Sequence, residues 1–156
     1  MANWCAVDIV IELSNEADVY KLLAKLKDEQ LKAEQEDRMV FIGSKTRYID
    51  ELKLHCEENT LDVQGDVKWG INYDEMVEII KWIKSIVPIV KLMCHQDEEG
   101  CGVYGYYTYA DGKLKYRYIP RSEYPEFEEH QQSWYDALEA ALSVNGVEEE
   151  IEMGDA

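Results

Sequence analysis

Long apolar runs are missing from this chain, and none approaches the roughly 20 residues that a bilayer-spanning helix needs. Positive charge is scarce. Sixteen Lys and Arg stand against 33 Asp and Glu, a formal charge of −17. Such a field repels nucleic-acid phosphates and anionic lipid and attracts basic surfaces. Histidine is rare as well, with only His55, His95 and His130 to serve acid–base chemistry or metal ligation. The four cysteines, Cys5, Cys56, Cys94 and Cys101, form no CxxC pair, which points to reduced, mostly buried thiols. No Gly-x-Ser-x-Gly, no phosphate-cradling glycine loop and no His-Glu-x-x-His occurs. The sequence therefore offers no catalytic residue and reads as a non-enzyme.

What is present suits one folded domain. The chain has 156 residues, 46% of them hydrophobic, with four Trp and eleven Tyr. A domain of this length buries about 70% of its unfolded surface. Met1-Ala2-Asn3-Trp4-Cys5 has neither a basic region nor an apolar stretch of the signal-peptide kind, so the expected location is cytoplasmic. The domain is expected over 1–146, with an acidic, partly disordered tail over 147–156.

Residues 5–13 are short and rich in β-branched side chains, which predicts a strand. Asn15 then offers an N-cap, and Val19, Leu22, Leu23 and Leu26 recur at helical spacing. Beyond residue 28 the face weakens to Leu31, so the helix continues or frays. Short strands are predicted at 38–43, 52–56 and 60–64, the last two as a hairpin. Asn72 and Glu75 form a capping-box pattern ahead of Met76, Ile79, Ile80, Ile83 and Val87, and Pro88 ends that helix. A strand at 90–94 follows, then a hairpin of 103–109 with 113–119 around Asp111-Gly112. A third helix is predicted over 126–143. This order is α+β: an antiparallel sheet with helices on one face, a split βαβ core and an extra C-terminal helix.

The opening Asn3-Trp4-Cys5, the segment Val67-Lys68-Trp69-Gly70 and the following helix resemble the YubB-type ferredoxin-like domain proteins of phages and plasmids. Glu98-Glu99-Gly100, then Val103-Tyr104-Gly105 and the Asp111-Gly112 turn, extend the resemblance over most of 1–120. It implies a ferredoxin-like fold and a mobile-element origin. It implies no iron–sulfur cluster and supplies no catalytic residue, since the activity of that family is largely unknown.

Metal binding by His55-Cys56, Cys94-His95 and Cys101 is disfavoured, because neighbours on a strand point to opposite faces and each pair offers one ligand per side. Neither a metal nor a cofactor is expected. Asp97, Glu98 and Glu99 lack the spacing of a calcium loop and read as a charged hairpin tip. Gly100, Gly102 and Gly105 read as backbone geometry in a turn or bulge. Tyr104 and Tyr106 share one strand face, and Tyr107 and Tyr109 the other. An aromatic patch ringed by acids suits a protein partner. The expected partner-binding residues are Asp97, Glu98, Glu99, Tyr104, Tyr106, Glu123, Glu126, Glu128 and Glu129. The expected role is occlusion of a host protein with a basic surface, such as a nucleic-acid-engaging defence or replication factor, without direct contact to nucleic acid or membrane. The competing reading is a small enzyme or ligand-binding domain using a pocket beside the Tyr-rich sheet.

Overall fold

The computed structural model describes residues 4–42, 47–98, 103–119 and 149–152. They form an α+β fold in which six main strands make one open antiparallel sheet with two helices. The elements run β1 (Trp4–Glu12), α1 (Glu16–Gln35), β2 (Val40–Ile42), β3 (Arg47–Glu57), β4 (Thr60–Lys68), α2 (Tyr73–Lys84), β5 (Lys91–Glu98), β6 (Val103–Ala110), β7 (Lys113–Ile119) and β8 (Glu149–Glu152). The sheet order is β2-β3-β4-β1-β5-β6-β7-β8, with the short β2 and β8 at its edges. β1 therefore lies between β4 and β5, antiparallel to both.

Alternation along β1 sets the layers. Cys5, Val7, Ile9 and Ile11 point to one face and are buried. Across the sheet that face continues through Leu61, Val63 and Val67 of β4, Leu92 and Cys94 of β5, and Tyr107 and Tyr109 of β6. Both helices supply the other half of this core. Val19, Leu22, Leu26 and Ala33 come from α1, and Met76, Ile79, Ile80 and Ile83 from α2. The α2 stripe and Leu92 are thus core, as their spacing predicts.

α1 does not fray at its polar second half but runs unbroken to Gln35. Lys, Glu, Gln and Ala there are strong helix formers, and Lys25–Glu29 and Lys32–Asp28 pair at i,i+4. Asn15 caps it, its Oδ1 accepting from the Asp18 N–H at 2.8 Å. At α2 the capping box is complete. Asn72 Oδ1 accepts from the Glu75 N–H, and Glu75 Oε1 accepts from the Asn72 N–H.

Gln96 is the one polar side chain buried in the core among the described residues, and it clamps the turn between β4 and α2. Its Oε1 accepts from the Ile71 N–H at 2.5 Å, and its Nε2 donates to the Ile71 carbonyl at 2.9 Å. The Tyr107 hydroxyl donates to the same carbonyl at 2.8 Å. The clamp holds a backbone in which Trp69 and Gly70 both have positive φ, 65° and 76°. Gly105 sits opposite Gln96, where a Cβ would be in ordinary van der Waals contact with Tyr116 and Gln96. It lies in unbroken register within β6, not in a turn or bulge.

The acidic residues Glu149–Glu152 pair as β8 with β7, from Lys113↔Glu152 to Tyr116↔Glu149, so this part of the expected tail joins the sheet. The predicted third helix lies outside the described residues. None of the described helices is long and apolar enough to cross a membrane.

Candidate functional site: an acid-lined groove on the sheet face away from the helices

The even-numbered side chains of β1 point away from the helices, and register builds three polar rows across that face. The central row is Lys53–Gln64–Asp8–His95–Tyr106, contributed by β3, β4, β1, β5 and β6 in turn. One step along, Asp66, Ala6 and Asp97 stand side by side on β4, β1 and β5. One step the other way, His55, Asp62 and Val10 do the same.

Among the described residues, hollows open on this face, two of them lined by its acids. The larger is about 360 Å³ and is lined chiefly by Asp8, Glu51, Lys53, Asp66, His95 and Asp97. The second, about 290 Å³, is lined by His55, Glu57, Glu58, Thr60 and Asp62. Asp8 belongs to the first and Asp62 to the second, and the two are diagonal neighbours on β1 and β4. Their carboxyls therefore form the divide between the hollows.

A bulge in β3 opens the larger hollow. Pairing of β3 with β4 slips between Asp50 and Lys53, so Glu51 and Leu52 together oppose the single residue Gly65 and β3 carries one extra residue. Glu51 takes a φ of 52°, a conformation that favours glycine, and is delivered to the wall of the hollow. Gly65 permits the kink. A Cβ there would lie 2.3 Å from Ile49 Cγ2 and 2.9 Å from the Asp50 carbonyl oxygen.

The electrostatics of the floor follow from burial. Desolvation first, then the hydrogen bond and charge of Asp62, push the Asp8 carboxyl up to about 8. Oδ1 of Asp8 and Oδ1 of Asp62 are both shielded from solvent, and neither meets a conventional donor. A proton on Asp8, donated across to Asp62 and so held between the two carboxyls, reconciles these facts. Burial also drives His95 down to about 4, so its imidazole is neutral at pH 7. His95 stacks on Tyr106 with ring centroids 5.0 Å apart and planes 13° from parallel. Beneath the floor, burial pushes the Cys94 thiol and the Tyr107 hydroxyl up, leaving both neutral.

Of the residues singled out from sequence, Asp97 lines the larger hollow. Tyr106 is fully buried, and this corrects its assignment as a contact residue. It lies mid-sheet between β5 and β7 and stacks on His95, with no surface to offer a partner. Tyr104 occupies the register position opposite Asp97, and Glu98 ends β5. Glu99, Glu123, Glu126, Glu128, Glu129 and Cys101 lie outside the described residues. No three His, Cys, Asp or Glu side chains among the described residues converge as a metal site. Sequence reasoning missed Asp8, Glu51, Lys53, Asp62 and Asp66. One signal was there to use: Asp8 is the lone charge inside the apolar run 5–11.

No family model, curated protein or solved structure matches this chain.

Proposed function

We propose that this is an acidic, ferredoxin-like interaction domain, encoded by a phage or other mobile element, that binds a host protein through a basic surface and occludes it. The classification rests on connectivity. β1, α1, β3, β4, α2 and β5 trace a βαββαβ path with order β3-β4-β1-β5, two split βαβ units interleaved. The observation that carries the function is the larger hollow, where Glu51, Asp66 and Asp97 outnumber the single Lys53. On a chain of charge −17, such a hollow focuses the field on an incoming cation and steers it. A basic, nucleic-acid-engaging factor has a surface of the complementary sign. The competing reading, a small-molecule site, has the volume in its favour, since ligand pockets run from about 300 Å³ upward. Such pockets are mostly apolar with a few polar groups, and this one is walled by charge, which favours a basic protein surface.

The test compares wild type with the Asp66→Lys/Asp97→Lys double variant. Both are immobilised in a lysate of the source cell, and captured proteins are identified by mass spectrometry. The reading expects a basic protein held by wild type and lost from the variant, with an on-rate that falls steeply with salt. Equal capture by both, or an on-rate indifferent to salt, refutes it.

A further inference from the structure

The Asp8–Asp62 carboxyl pair separates the two hollows. A surface that only needed negative charge would keep its acids solvated and apart. Here Asp8 and Asp62 are brought together across β1 and β4, with an oxygen of each hidden from solvent. Either carboxyl faces a different hollow, and each hollow has its own acids, Glu51, Asp66 and Asp97 on one side, Glu57 and Glu58 on the other. A cationic side chain seated in the larger hollow meets Asp8 directly. A second, further along the same extended segment, meets Asp62.

Resting on the proposal that the groove takes a basic partner, we infer that the Asp8–Asp62 pair is the seat of a lysine or arginine side chain of that partner, which displaces the proton held between the two carboxyls as it binds. No bond but O–H breaks: the proton leaves to solvent, and the ammonium or guanidinium takes its place between two carboxylates. The paired acids then act as a proton-linked receptor.

The groups facing Asp8 decide whether another titration masks this one. From β4 they are Asp62, Gln64 and Asp66, from β5 His95 and Asp97, from β3 Glu51, Lys53 and His55. From β6, Tyr106 stacks behind His95. His95 is neutral through the relevant range, being held down to about 4. Asp8, raised to about 8, is the facing group that changes charge just above neutrality. A partner lysine stays charged there, with an ordinary value of about 10.4. Binding that expels one proton strengthens with pH by up to about tenfold per unit below the Asp8 value, and levels off above it.

The probe is a capped hexalysine peptide, titrated calorimetrically into the full chain at low ionic strength, at pH 6.5, 7.5 and 8.5. Measurement in buffers of different ionisation heat gives the protons released per peptide bound. The expected result is release approaching one at pH 6.5 and falling toward zero at pH 8.5, with no release attributable to this site in Asp8→Asn. Carbon-13 NMR of the side-chain carboxyls gives a readout independent of that variant. Asp8 should titrate near pH 8 in the free protein and at lower pH with hexalysine bound. Binding without proton release, or an Asp8 titration unmoved by the peptide, overturns the inference and leaves the acidic groove standing. Absence of hexalysine binding by wild type overturns both.

Discussion

Replacing Asp8 by Asn tests the buried carboxyl pair through stability alone, with no ligand. In the folded protein Asp8 holds its proton to about pH 8, while in the unfolded chain it ionises near 3.8. The folded state therefore binds more protons, and stability that is fully present below the unfolded value is lost as pH rises toward 8. His95 works in the opposite direction over part of this range. Its folded value of about 4 lies below the ordinary 6.5, so it adds stability as pH rises from 4, tapering out over about a unit above 6.5 as the unfolded imidazole finishes losing its proton. Both proteins carry His95, so the difference between their profiles from pH 6.5 to 8 isolates Asp8, and stopping at 8 avoids the buried Cys94 thiol, which costs stability once its unfolded counterpart ionises. Integrating a single site across that interval gives about 1.6 kcal/mol, and allowance for the partial solvent access of Asp8 brings it to about 1 kcal/mol. Urea unfolding at half-unit pH steps should show wild type losing about 1 kcal/mol between pH 6.5 and 8 relative to Asp8→Asn. Parallel profiles for the two proteins would refute the shared proton.

The other stability predictions concern the opposite face. Ile80 is fully buried under α2, so Ile80→Ala should cost about 2–5 kcal/mol in urea melts, and a loss below about 0.5 kcal/mol would mean that the helix face is not core. Gln96→Leu keeps the approximate volume but strands the buried Ile71 N–H, since Tyr107 serves only the carbonyl. It should cost about 1–3 kcal/mol and speed hydrogen exchange at Ile71, and unchanged exchange there would show that the clamp is not what holds the turn.

The local elements were legible because their signals are local. Asn72 with Glu75 starts α2, Pro88 follows its end, and Asp111-Gly112 closes the β6–β7 hairpin within the sequence that forms it. Strand lengths were less so. β3 begins at Arg47, but the bulge at Glu51 and Leu52 breaks its alternation, so only 52–56 read as a strand. β5 runs on to Glu98 through His95, Gln96 and Asp97, polar residues that look like a loop until Gln96 is seen to be buried and His95 to face Asp8. The groove was not legible at all. Its acids come from four strands, and no spacing along the chain records that Asp8 will lie beside His95 and diagonal to Asp62. Tyr106 misled for the same reason: its parity along β6 was right, but its depth depends on strands on both sides.

The placement of β1 has a consequence for how the chain acquires its fold during synthesis. β1 is made before either of its two neighbours, Thr60–Lys68 and Lys91–Glu98. α1 can form as soon as it emerges and offers its apolar face to β1, but until β4 arrives β1 has unpaired backbone on both edges. Its second edge stays open until β5 follows. This largely apolar strand therefore waits long for its hydrogen bonds, and long-range pairings of this kind form slowly and expose edges to other chains meanwhile. Asp8, set in the middle of that waiting strand, is a charged gatekeeper in the nascent chain, where its carboxyl is solvated and ionised. Only when β4 and β5 close on either side does the same residue become a proton carrier.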